Sequence, residues 1–160
     1  MSSTAGSDRD QLVRDLEEAR NELRASYEGL RDEQMTRLGA VGAWSVKDVL
    51  SHVASWEEVA LPDLARLARG DTAILASMDL YSANFDDFNA VIMSLRRNLP
   101  LDQVLRELDI VRADFMAGVS RLPDSVLAEG QFGRILVQIT GEHDREHAEG
   151  IRRWRQQEGL

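Results

Sequence analysis

His143 and His147 stand four residues apart, in the arrangement H-x-x-x-H. On a helix that spacing turns through about 40° and rises ~6 Å, so both imidazoles share one face. The same face carries Leu136, Ile139, Thr140, Ile151 and Trp154, which directs the histidines toward a core. His52 lies on a second apolar stripe with Val49, Trp56 and Val59. Imidazoles close together in an apolar setting stay neutral, and the neutral form is the one that ligates a metal. Two ligands from one helical turn and a third from a neighbouring helix make a three-histidine site, with one position open to water or substrate. The competing reading is three core histidines that never meet. The chain has 3 histidines and 0 cysteines, which excludes disulfides, thiolate ligands and a cysteine nucleophile.

Other residues take candidate roles around that triad. Glu146 flanks the histidine face and Asp48 lies one turn before His52, so either can orient an imidazole or accept a proton. Asp48 also has a competing structural task, because Ser45-x-x-Asp48 is a capping box. Trp56 follows His52 by one turn and is a candidate pocket wall. Tyr81, Asn84, Phe88 and Asn89 are candidate substrate-binding residues, the aromatics competing with ordinary core packing. His143 to His147 also matches H-x-x-E-H, an inverted zinc-peptidase motif. That motif takes a third, acidic ligand well downstream, and only 13 residues follow His147.

The elements that must position these groups are helical. Apolar residues recur at the 3.6-residue period and nowhere alternate for long. The pattern predicts helices over 8–30, 45–70, 79–98, 101–122 and 134–157, with a break near Leu61 because Pro62 follows. Residues 71–78 read as the main connection, and 1–7 as a flexible tail ahead of one domain over 8–160. Such a set packs as a four-helix bundle with a short extra helical segment or linker. No run of ~18 apolar residues is present, so no membrane helix is expected, and the absence of a leader-like N-terminus makes the cytoplasm the default location. The formal charge is −9. Phosphate-binding proteins usually carry a basic excess, so nucleic acid is not expected as a partner.

Trp44-Ser-Val-Lys-Asp-Val-Leu-Ser-His52-Val-Ala-Ser-Trp56, together with Glu142-His143-Asp-Arg-Glu-His147 and Ile151-Arg-Arg-Trp154, resembles the two histidine signatures of the DinB/YfiT-like metalloenzyme superfamily. Asn84 to Asn89 resembles the ClbS-like branch, from which Asp144 departs at a position where an aromatic is common. The resemblance covers nearly the whole chain after the tail. It implies a four-helix bundle, often a homodimer, and a divalent metal (zinc, nickel or manganese) on His52, His143 and His147. It also implies either hydrolysis or transfer of a low-molecular-weight thiol. With no cysteine in the chain, any such thiol comes from outside.

The reading that follows is a metal-dependent enzyme that activates water or a small thiol against an electrophilic small molecule, as in detoxification. Two alternatives stand beside it. One is a bundle that binds or sequesters a small molecule without turnover. The other is a structural dimerisation module, which predicts that the three imidazoles do not converge.

Overall fold

The computed structural model describes residues 7–160. Residues 1–6 of the expected tail lie outside that range, and Ser7 is the N-cap of the first helix. Six α-helices follow: α1 (Asp8–Tyr27), α2 (Asp32–Thr36), α3 (Val46–Ala68), α4 (Asp86–Arg96), α5 (Leu101–Ser120) and α6 (Phe132–Glu158). Short 3-10 turns lie at Leu75–Ser77 and Asp124–Val126. Among the described residues there is no strand, so the fold is all-α as the periodicity predicts.

The long helices α1, α3, α5 and α6 form the bundle. Side-chain pairs give its directions. Asp8 meets Arg134, Asp15 meets Arg145, and Arg155 reaches the Ser26 carbonyl, so α1 and α6 run parallel. Glu57 meets Arg112 and Leu64 lies under Gly118, so α3 and α5 run parallel too. Arg20 reaches the Leu108 carbonyl while Arg9 reaches that of Val119, which sets the two pairs antiparallel to each other. Two parallel neighbours in a row require a long crossover, and residues 69–100 supply it.

Several local expectations are corrected. α1 ends at Tyr27 rather than Leu30, because Gly29 takes a left-handed φ of 79° that terminates a helix at little cost for glycine. α2 is a separate short helix within the first connection. Pro62 does not break α3. It is exposed, and so is Glu58, whose carbonyl would have accepted the missing N–H, so water can satisfy that carbonyl. The helix expected from Asp79 begins only at Asp86. Asp79 accepts from the Tyr81 N–H and the Ser82 hydroxyl, and Asn84 Oδ1 accepts from the Asp86 N–H. These side-chain bonds hold the backbone in turns and compete with helix formation.

The core has two apolar clusters. One groups Leu23, Val49, Leu50, Val53, Leu108, Ile151 and Trp154. The other groups Leu12, Leu16, Leu64, Phe115, Val119, Leu136 and Val137. A polar layer separates them, with one member on each bundle helix: Arg20, Glu57, Arg112 and Asp144, all buried. Arg112 takes the inward place that the α5 stripe assigns to Val111, which is only half-buried.

Candidate metal centre

The structure brings the three histidines together. α3 starts at Ser45, whose hydroxyl accepts from the Asp48 N–H while Asp48 Oδ2 accepts from the Ser45 N–H. That box sets the phase of the helix two turns before His52. α6 runs antiparallel to α3 and carries His143 and His147 to the same level. His52 Nε2 lies 2.9 Å from His143 Nε2, and His147 Nε2 lies 3.0 Å from it. Burial pushes the His52 imidazole down to about 3, with His147 adding to the shift. Burial and the two neighbouring imidazoles hold His143 well below its ordinary value. His147 is lowered by burial, against the pull of Glu146 and Asp144.

The donor set fits a divalent ion. A tetrahedral ion with N-donor bonds of ~2.0–2.1 Å sets its donors about 3.3 Å apart, close to the two spacings above. Hydrogen bonding accounts for the cluster poorly. A neutral ring nitrogen has either one proton or one lone pair, yet His143 Nε2 faces two partners at once. The outer nitrogen of His52, Nδ1, is buried without a partner.

A cavity of about 320 Å³ opens beside the triad and is lined by His52 and His143. Trp56, Tyr81 and Asn89 line it as the sequence suggests. Trp56 donates its indole N–H to Asn89 Oδ1 at 2.9 Å, which holds the ring in place. Phe88 packs against Trp56 with ring centroids 4.8 Å apart but does not line the cavity, and Asn84 Oδ1 is occupied by the Asp86 N–H in the turn before α4. Glu146 is exposed at the rim. Asp48 is occupied by its capping box and makes no hydrogen bond to an imidazole among the described residues. The crossover covers the cavity through Leu75, Leu80, Tyr81 and Phe85. It is tied to α3 by the buried Asp63, which accepts from the N–H groups of Ile74 and Leu75 at 2.7 Å each.

The sequence reasoning missed Glu57 and the layer to which it belongs. Glu57 Oε1 accepts from Arg20 at 2.5 Å and pairs with Arg112 at 2.9 Å. Asp144 pairs with both guanidiniums. Burial pushes the Glu57 carboxyl up to about 7, against the opposing pull of Arg112 and Arg20. Glu57 also lines the cavity. A signal was present: it stands four residues after Val53 and three before Ala60, on the apolar stripe of α3.

An all-helical bundle with a two-helix histidine triad beside a pocket defines a class, and the comparisons with known proteins agree. The chain belongs to the DinB superfamily, whose profile matches residues 15–151. No curated protein sequence matches it. Among solved structures it is similar to DfsB, described as a sibling lethal factor precursor, at TM-score 0.75 and 13% identity over 98% of both chains. It is equally similar to an uncharacterised protein from Escherichia coli UTI89, at TM-score 0.74 and 15% identity over 99% of both chains. The colibactin self-resistance protein ClbS, in complex with a dsDNA, matches at TM-score 0.75 and 13% identity over 95% of this chain and 98% of that one.

The ClbS complex overturns the exclusion of nucleic acid. A protein of this fold is crystallised on duplex DNA, so the acidic balance does not remove that partner class. Net charge is a sum over the chain, whereas phosphate contact depends on local groups. At −9, this chain still gathers Arg152, Arg153 and Arg155 at the end of α6, with Arg37 beside them through its pair with Glu158. The expectation of no membrane span stands as a structural fact: no helix among the described residues is long and apolar enough to cross one.

Proposed function

We propose that residues 8–160 act as one domain, a metal-dependent enzyme that protects against an electrophilic small molecule. His52, His143 and His147 would hold the divalent ion. The observation that supports this is the meeting of three imidazole Nε2 atoms beside a cavity sized for a small molecule and lined by His52 and His143. A bound divalent ion supplies Lewis acidity and lowers the pKa of water or of a small thiol toward neutrality. Zinc, nickel and manganese are the ions that the family resemblance allows, and the three-histidine geometry does not choose among them.

The chain's own residues do the rest. Trp56, Phe85, Leu80 and Ile139 exclude water and hold the apolar part of the substrate. The bond from Trp56 to Asn89 keeps the indole wall preorganised. Glu146, on the rim of the same cavity, accepts a proton from the incoming nucleophile at its carboxylate. A thiol, if that is the nucleophile, is external, because the chain has no cysteine. The self-resistance role of ClbS supports a protective reaction.

Elemental analysis of protein purified without a nickel resin tests the reading. The expected result is about one divalent ion per chain, lost in His52→Ala and His147→Ala. A wild-type chain that takes up no zinc, nickel or manganese on titration overturns it.

A further inference from the structure

The cavity has a consistent electrostatic character. No lysine or arginine of the described residues lines it, whereas Glu57, Glu142 and Glu146 all do. Glu142 and Glu146 are exposed and join no ion pair among the described residues, while Glu149, further along α6, is paired with both Arg152 and Arg153. Trp56, Tyr81 and Phe85 line the same cavity. Tyr81 stands close enough to Glu142 that the carboxylate adds to the upward push of burial on its phenol.

A second observation is independent of the rim. Glu57 is 2% exposed and lines the cavity. Its Oε1 is taken by Arg20 and Arg112, but its Oε2 is buried with no partner. A buried carboxylate oxygen left without a donor is uncommon in a folded protein. A ligand that brings a donor would complete it.

We propose that this cavity takes a cationic ligand: an ammonium whose charge sits between the Trp56 and Tyr81 rings and the carboxylates of Glu142 and Glu146, and whose N–H meets Glu57 Oε2. Ring faces attract cations through their quadrupole, and two unpaired carboxylates at the mouth add to the field. Among the lining side chains, an anionic ligand would meet the uncompensated carboxylates of Glu142 and Glu146 and no lysine or arginine, Glu57 being matched by Arg20 and Arg112; an ion held by the triad would add a positive charge of its own. The inference names the substrate class of the enzyme proposed above and rests on that reading for the reaction, though not for binding.

The test is an NMR titration of the metal-free full chain at pH 8, where no bound ion attracts the anionic probe and Glu57 is ionised, following the Trp56 indole N–H. The probes are benzyltrimethylammonium, which has no lone pair to offer a metal, neutral benzyl alcohol and phenylacetate. The ammonium should bind about fivefold tighter than the alcohol. Glu142→Gln with Glu146→Gln should reduce that preference to about twofold, the share left to the rings, without changing the melting temperature. Benzylammonium adds N–H donors, and its gain over the trimethyl probe should vanish in Glu57→Gln. Phenylacetate binding as tightly as the ammonium, or a preference undiminished in the double variant, overturns the proposal. A benzylammonium gain that survives Glu57→Gln overturns the role of Oε2. Zinc uptake without ammonium preference refutes this inference alone, and ammonium preference without zinc uptake refutes the metal reading alone.

Discussion

Two polar clusters sit side by side in this bundle, and they are built on opposite principles. The layer of Arg20, Glu57, Arg112 and Asp144 matches two cations to two anions that pair with one another, leaving Arg112 Nε and Nη1 and Glu57 Oε2 without partners. The triad of His52, His143 and His147 puts three alike and neutral groups within hydrogen-bond distance, with no complement among them. The layer neutralises itself. The triad needs something from outside to make its closeness favourable. The difference separates a polar cluster that the fold uses from one that is offered to a ligand. Glu57 belongs to both, because one oxygen is engaged in the layer and the other is left at the cavity.

The largest expected effect breaks the layer. Asp144→Ala leaves two buried guanidiniums short of an anion and should cost roughly 3–5 kcal/mol in denaturant unfolding. A loss under ~1 kcal/mol, as for an exposed pair, would mean that the layer does not close on itself as described.

Next comes the triad. Zinc at about a hundredfold over its dissociation constant should stabilise the wild type by roughly 2.7 kcal/mol, read as a rise in melting temperature. His147→Ala should show no such rise. Equal stabilisation of both proteins would erase the distinction between the clusters.

Glu57 gives a third effect, set by pH. Its folded pKa, about 7, lies above the ordinary 4.5, so between those values the folded state keeps a proton that the unfolded chain releases, and the layer holds its second anion only above pH 7. Stability from this group is therefore full below pH 4.5 and declines as pH rises through 7. Glu57→Gln should remove that decline, on the order of 2 kcal/mol once relaxation of the two guanidiniums is discounted. Unfolding curves for the two proteins at pH 5 and pH 7.5 measure it, and parallel behaviour would place Glu57 wholly within the layer.

The smallest effect separates positioning from ligation. Ser45→Ala removes a cap and should cost about 1 kcal/mol, with the zinc-induced rise retained. A lost zinc response would show that the cap, two turns from His52, sets the triad's geometry.

Much of this was legible in residue order. The capping box at Ser45, the apolar stripes and the spacing of His143 and His147 follow from local rules of period and hydrogen bonding, and α3, α5 and α6 fall close to where those rules place them. The break at Pro62 did not occur, because a lost backbone bond costs little on a wet face, and which face is wet depends on packing. The start of α4 was obscured by Asp79 and Asn84, whose side chains outcompete the helix for backbone donors. The buried charges were harder still. Periodicity places Arg20, Glu57, Arg112 and Asp144 on or beside inward stripes, but only partners from four different helices make such burial tolerable.

The sequence by itself determined an all-helical chain, a supply of imidazole donors limited to three with no thiolate beside them, and the inward direction of each, because period and composition act over a few residues. The tertiary structure decided the rest. It set the antiparallel crossing of α3 and α6 that joins His52 to the other two, the ion-pair layer between the two apolar clusters, and the acidic, aromatic cavity beside the triad. These depend on contacts between residues up to 124 positions apart, as Arg20 and Asp144 are, and no local pattern records which helix a side chain will meet.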